Sequence, residues 1–277
     1  MRRVFPLMPV AALGAAVVLA AGCGPDLDYK QGRHLERTGQ HFRAVEEYRS
    51  FLSKHPDDPR AVEVSWRAGR IYAESLGRCE EAVPLLEAAA RSKAPEDKEM
   101  AEQARLGLLS CPDFFPLRQD TEWTYVDTLS GGKNMHLRIG VYAATANVRG
   151  LILGEMYAGE QMILKYKRSY RKEGWSVYET IDGVSAPILK YPLNAGRSWE
   201  VIRDGKRERF SVEAAGIAVQ VKAGRYDGCL KIKRRTLDYP SWIFDYYCPG
   251  IGRVKTSIGV ATGENPNTEL AKYKTRT

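Results

Sequence analysis

Hydrophobic and polar residues change rhythm twice along this chain. No charge interrupts the apolar run from Val4 to Gly22. Residues 29–110 then read as short helical units. Beyond Cys111-Pro112, apolar and polar residues alternate in WTYV (123–126), MHLRIGVY (135–142), ILKYKRSY (163–170), WSVYET (175–180), RFSVEA (209–214), VQVK (219–222), CLKIKRRT (229–236) and WIFDYY (242–247). Period-two alternation predicts half-buried strands. Ser130-Gly131-Gly132, Asp182-Gly183 and Asp204-Gly205 punctuate them, and Asp-Gly suits a two-residue hairpin. About ten short strands without a convincing helix predict an antiparallel sheet that is strongly curved or closed. FPLRQDTEW (115–123) and YPLNAGRSW (191–199) share a proline-fixed turn feeding a strand, and Trp123 and Trp199 are expected to plug the core.

The helical part repeats. Residues 29–56 align with 66–95, so that Gly32 matches Gly69 and Ala44 matches Ala82; AEQARLGLLS (101–110) is a truncated third copy carrying Gly107. With Gly39, Tyr48, Pro56 and Tyr72 in place, the pattern resembles the tetratricopeptide repeat (TPR), a helix-turn-helix unit. Its wording is also similar to the repeats of periplasmic lipoprotein scaffolds in the barrel-assembly machinery and the Tol-Pal coordinator. The resemblance implies a superhelix with a concave groove. Lys30, Arg67 and Arg105 would stack along that groove, with Arg33 and Arg70 as a second matched pair. Such a row could clamp an acidic segment or a free C-terminus of an envelope protein. The plainer reading is a helix face neutralised by Glu36, Glu63 and Glu74.

The N-terminal run follows Arg2 and Arg3 and ends in LAAGC (19–23), which resembles the bacterial lipobox. The resemblance implies removal of residues 1–22, a signal peptide, and acylation of Cys23. Gly24, where an aspartate would signal inner-membrane retention, favours the outer membrane, facing the periplasm. An uncleaved anchor helix is the other possibility. Four cysteines remain, an even number that suits disulfides in an oxidising compartment. Cys229 and Cys248 flank a turn at Asp238-Tyr239, so one hairpin would set them opposite each other. Stacking of the repeats would place Cys111 beside Cys79. The sequence VKAGRYDGCLKI…YYCPGIGRVK (221–255) is similar to a recurrent domain of bacterial envelope proteins, and the strand count to the half-open barrel of the lipoprotein-localisation (Lol) carriers.

Together these signals predict an α+β chain of two domains. Residues 23–112 form an N-terminal α-α TPR-like superhelix. Residues 113–277 form a C-terminal antiparallel all-β domain, as a curved sheet, half-barrel or sandwich. Charge separates the halves: residues 24–112 hold 14 basic and 16 acidic residues, residues 113–277 hold 26 and 18. Export argues against nucleic acid as the partner of the basic half; anionic lipid suits it better. KYKRSYRK (165–172) would put Lys165, Lys167, Ser169 and Arg171 on one strand face and Tyr166, Arg168, Tyr170 and Lys172 on the other, with a solvated basic face expected.

Enzyme signatures are missing: no phosphate-cradling glycine loop, no zinc-protease helix and no Cys-x-x-Cys pair. His34, His41, His55 and His136 are scattered without ligand spacing, so neither a metal nor another cofactor is expected. The expected function is a lipid-anchored adaptor that binds a partner through its helices. The alternative is a carrier or sensor whose β-domain encloses a lipid or other apolar ligand. An apolar-lined pocket favours the carrier, a filled core the adaptor. Intact mass of the protein from its native membrane should show loss of residues 1–22, added acyl mass on Cys23, and two extra hydrogens per disulfide on reduction. A full-length, unacylated N-terminus would remove the outer-membrane placement.

Overall fold

The structure is a computed structural model and describes residues 24–275. Cys23 and the segment before it lie outside the described residues. Five α-helices come first: α1 (Pro25–Arg37), α2 (His41–Lys54), α3 (Ala61–Arg70), α4 (Cys79–Ala90) and α5 (Lys98–Leu108). Twelve strands follow among the described residues: β1 (Glu122–Asp127), β2 (Met135–Thr145), β3 (Arg149–Ala158), β4 (Gln161–Glu173), β5 (Ser176–Ile181), β6 (Val184–Lys190), β7 (Ser198–Arg203), β8 (Lys206–Val221), β9 (Gly224–Thr236), β10 (Trp242–Cys248), β11 (Gly252–Val260) and β12 (Gly263–Lys274).

These helices correct the expected TPR-like superhelix. The described residues are mostly β, and the helices among them are short and few. The aligned copies do form close pairs: Tyr48 of α2 packs on Gly32 of α1, and Leu86 of α4 on Gly69 of α3, both where a Cβ would collide. The periodicity nevertheless fails to propagate. A π-turn at Ile71–Ser75 interrupts the end of α3, and the third copy is α5 alone, with no second helix of its own. A superhelix grows from identical unit-to-unit interfaces, and two pairs with a single helix cannot build one. Cys79 at the start of α4 is bonded to Cys111 just beyond α5, with Cα atoms 5.2 Å apart.

All twelve strands join one antiparallel sheet in the order β6-β5-β4-β3-β2-β1-β12-β11-β10-β9-β8-β7. Two six-strand meanders are thus stitched together where β1 pairs with β12. The end strands β6 and β7 are consecutive in the chain, so the short 191–197 connection brings the two sheet edges together. Trp199 of β7 donates its indole N–H to the Pro187 carbonyl of β6 at 3.1 Å across this seam and stacks on Phe210. Pro187 is tolerated because β6 is an edge strand. The result is a nearly closed barrel, the curved alternative among the β-architectures expected.

Local signals explain much of the ladder. Asp182-Gly183 and Asp204-Gly205 have positive φ at both residues and turn β5 into β6 and β7 into β8. RFSVEA and VQVK, read as two strands, are one sixteen-residue strand, β8, whose register shifts at bulges between Val212 and Val219. Strands β3, β6, β7, β11 and β12 lie outside the alternating segments, although the strand fed by the turn before Trp199 is β7. Gly150 and Gly154 dilute the apolar pattern of β3, and GENPNTEL that of β12. Tyr247 pairs with Leu230, which leaves Cys248 opposite Cys229; the two are disulfide-bonded with Cα atoms 4.2 Å apart.

The segment between helices and barrel is fastened by Asp113. Its carboxylate accepts from Lys172 Nζ at 2.9 Å, from Asn147 Nδ2 at 2.7 Å and from the Phe115 amide at 3.1 Å. Its carbonyl accepts from the Gly250 amide at 2.7 Å. Burial lowers the Lys172 ammonium from its ordinary range, and the charge of Asp113 opposes that shift. Lys172 and Asp113 side chains are 1% and 5% exposed, so water cannot replace a lost partner. Asp113→Ala should therefore cost about 3–5 kcal/mol in urea unfolding, because Lys172 is left buried and alone. The double variant Asp113→Ala/Lys172→Met should regain much of that loss. Equal instability of both variants would mean that the hydrogen bonds of Asp113, rather than the stranded charge, matter.

Candidate functional site

The interior of the barrel is not filled. A cavity of about 250 Å³ is lined by residues from eleven of the twelve strands, β1 to β11, and by Phe115 and Pro116. That the lining includes Ile188 of β6 and Arg203 of β7, at opposite sheet edges, shows how far the sheet wraps. The walls are aliphatic at Ile139, Ile152, Ile181 and Ile188, and aromatic at Trp123, Tyr125, Tyr166, Tyr170, Phe210 and Tyr247. Phe115 enters from the connecting segment and packs on Tyr170, ring centroids 4.8 Å apart. Gly154 of β3 faces Tyr166 of β4 across the ladder, and a Cβ there would meet the Tyr166 ring; glycine lets that ring lie close to the sheet.

Ionised groups share this interior. Glu179 of β5 accepts from Arg168 of β4 at 2.9 Å, from Arg203 of β7 at 2.8 Å and from the Tyr170 hydroxyl at 2.6 Å. Burial alone would raise the Glu179 carboxyl, but the Tyr170 hydrogen bond and the two guanidinium charges outweigh it and hold it below its ordinary range. Tyr170 is pushed well above the usual phenol range by burial and by that carboxylate. Asp245 of β10 lies 3.6 Å from Arg234 Nε and 3.4 Å from Arg253 Nη1, looser than the Glu179 contacts. Glu208 of β8 lies 4.0 Å from Arg234. Burial works against the Arg253 charge, yet Asp245 keeps it more firmly protonated than usual. Four guanidinium groups thus meet three carboxylates, and the interior is both apolar and net positive.

The sequence-predicted residues are disposed otherwise. Arg33, Arg67 and Arg70 are brought together between α1 and α3, but with carboxylates. Arg33 donates to Glu63 at 3.0 Å, Arg67 to Glu63 at 2.7 Å and to Glu36 at 3.1 Å, and Arg70 to Glu36 at 2.6 Å. Burial of Glu36 is outweighed by Tyr48, Arg67 and Arg70, which keep its carboxyl lowered. Arg105 stands apart, donating to Glu102 at 2.8 Å and to the Ala90 carbonyl at 3.0 Å. Lys30 is exposed. Cys79, Cys111, Cys229 and Cys248 are held in the two disulfides. No group of three or more His, Cys, Asp or Glu suited to a metal ion occurs among the described residues.

The run 165–172 divides as expected, and Lys165, Lys167, Ser169 and Arg171 form its outer, basic face. The face carrying Tyr166, Arg168, Tyr170 and Lys172 points inward: the first three line the cavity and Lys172 is buried. Trp199 packs as expected, whereas Trp123 also borders the cavity. Sequence reading missed Glu179, Arg203, Arg234, Asp245 and Arg253 altogether. A signal existed: Arg203 shares strand parity with Trp199 and Val201, and Asp245 with Tyr247. Charged residues in phase with a core aromatic are out of place on a solvated face.

The lowered carboxyl of Glu179 has a pH consequence. A carboxylate depressed in the folded state stabilises above its unfolded value, near 4.5, and that stabilisation is lost as pH falls through the folded value. Urea unfolding from about pH 6 downward should show stability dropping below about pH 4.5. Glu179→Gln should be less stable at neutral pH and lose less on acidification. Parallel pH profiles for the two proteins would show that Glu179 does not titrate with folding.

No family model and no curated protein matches this chain. Among solved structures it is similar to a chain from Bacteroides fragilis NCTC 9343, named provisionally as an exported protein with a YmcC-like fold, at 13% identity and a TM-score of 0.41 over 58% of this chain and 99% of that one. It is also similar to a chain from Parabacteroides distasonis ATCC 8503, named provisionally as a lipoprotein, at 13% identity and a TM-score of 0.38 over 58% of this chain and 98% of that one.

Proposed function

We propose that this chain is an envelope lipoprotein, anchored through Cys23, whose β-barrel carries or senses a small amphipathic ligand. The supporting observation is the cavity of about 250 Å³ inside the barrel, walled by isoleucines and aromatic rings with a few convergent charged groups. Binding sites for small molecules have that make-up, and a volume just under the usual ~300–1,000 Å³ range suits a small ligand. The alternating strands give the barrel an inner face that carries isoleucines and aromatic rings beside its ion pairs, and the seam at β6 and β7 is where the sheet is not continuously hydrogen-bonded. The role is binding rather than catalysis. Its location rests on the lipobox-like LAAGC and the paired cysteines. The adaptor reading has less behind it, because Arg33, Arg67, Arg70 and Arg105 spend their charge on Glu63, Glu36 and Glu102.

A neutral fluorescent probe, N-phenyl-1-naphthylamine, tests the proposal. Wild-type protein should enhance its emission saturably, with one site per chain. Ile152→Trp places an indole into the cavity wall and should abolish that signal, at about 1–3 kcal/mol of stability for the overpacking. A wild type that gives no saturable signal, or an Ile152→Trp variant that binds as well, would overturn the carrier reading.

A further inference from the structure

Arg203 is held by one corner only. Its Nη1 donates to Glu179 Oε2 at 2.8 Å, while Nε and Nη2, both buried, have no hydrogen-bond partner among the described residues. These two nitrogens form the side of a guanidinium whose parallel N–H groups match the two oxygens of a carboxylate or phosphate. A buried donor without a partner carries the full cost of its lost hydration, and Arg203 holds two of them on a side chain only 12% exposed. Glu179 does not satisfy them, since it is already shared with Arg168 and Tyr170. Asp245 is engaged by Arg234 and Arg253 and makes no ion pair with Arg203 among the described residues. Arg203 lines the same cavity as Ile152, Ile181 and Phe210. An arginine with two unpaired donors and an apolar wall therefore border one space.

We propose that the Nε–Nη2 edge of Arg203 is an oxyanion fork, and that the ligand of the barrel is an anionic amphiphile whose carboxylate or phosphate head docks there while its apolar body lies on the cavity wall. This deepens the carrier reading and rests on it. Glu179 acts as the positioning residue: it pins Nη1, and so turns the other edge of the guanidinium toward the cavity. Arg168 shares Glu179 and keeps the local charge positive when the head group arrives.

Three probes of equal chain length separate the possibilities: decanoate, decyl phosphate and decanol, each measured by isothermal titration or by displacement of N-phenyl-1-naphthylamine. Wild-type protein should bind one or both anions at least about tenfold more tightly than decanol, the difference expected of charge-assisted hydrogen bonds. Which anion is preferred distinguishes a carboxylate from a phosphate head. Arg203→Gln should erase the preference: its affinities for the two anions should fall to the level it shows for decanol, so that the readout is the anion-to-decanol ratio within one variant. Arg203→Lys, which keeps the charge beside Glu179 without the fork, should lose most of the preference. Equal binding of anions and decanol by the wild type would overturn the fork and leave the carrier intact. So would a preference that survives in Arg203→Gln. Failure of all three probes to bind would overturn the carrier reading itself.

Discussion

The barrel depends on what happens where its sheet stops. A twelve-stranded antiparallel sheet has two edges, and here β6 and β7 must face each other without a ladder between them. Glu179 answers that constraint from one strand inside the edge: it reaches past β6 to Arg203 on β7, while Arg168 on β4 and Tyr170 hold it from behind. The Trp199 indole adds a neutral hydrogen bond to the β6 backbone. An ion pair is an unusual clasp for a barrel, because desolvating both partners costs as much as their attraction returns. It persists here because Glu179 accepts three hydrogen bonds, from Arg168, Tyr170 and Arg203, and the pair borders a cavity rather than a close-packed core.

The same clasp shapes the candidate site. Closing the seam through Glu179 engages one corner of Arg203, a residue of the cavity lining, and leaves its Nε and Nη2 without a partner among the described residues. Closure of the seam and the lining of the cavity thus meet at one side chain. The opposite demand, that the connecting segment stay in place, falls on Asp113, which ties together Lys172 of β4, Asn147 of the β2–β3 turn and the turn before β11. With that anchor set, Phe115 and Pro116 become part of the cavity lining instead of a loose linker. The disulfide between Cys79 and Cys111 ends immediately before this anchor, so the last helix, the linker and the barrel are fastened in succession.

Run 165–172 shows how far the chain can be read without its fold. Alternation correctly separates Lys165, Lys167, Ser169 and Arg171 from Tyr166, Arg168, Tyr170 and Lys172, because successive strand residues point to opposite faces. It does not say which face is inside. Two cations accompany two tyrosines on the inner face, and composition alone makes that face look solvated. Only Glu179 and Asp113, 11 and 59 residues away from Arg168 and Lys172, make burial of those cations tolerable. The helical half shows the converse. Gly32 under Tyr48 and Gly69 under Leu86 are legible as close-packing positions, yet local similarity between two helix pairs does not specify a superhelix.

By itself the sequence determined what short-range chemistry controls. Positive φ at Asp182-Gly183 and Asp204-Gly205 turns two hairpins, and the symmetric spacing about Asp238-Tyr239 sets Cys229 opposite Cys248. The change of period after Cys111 marks where helices give way to strands. Tertiary structure decided the rest: the pairing of β1 with β12, the approach of β6 to β7, and the gathering of Arg168, Glu179, Arg203, Arg234, Asp245 and Arg253 around one cavity. Those residues come from six different strands, and nothing in the spacing along the chain records which strand will close upon which. Closure of a sheet is a long-range event, and the identity of the inner face, with every charge that it encloses, follows from it.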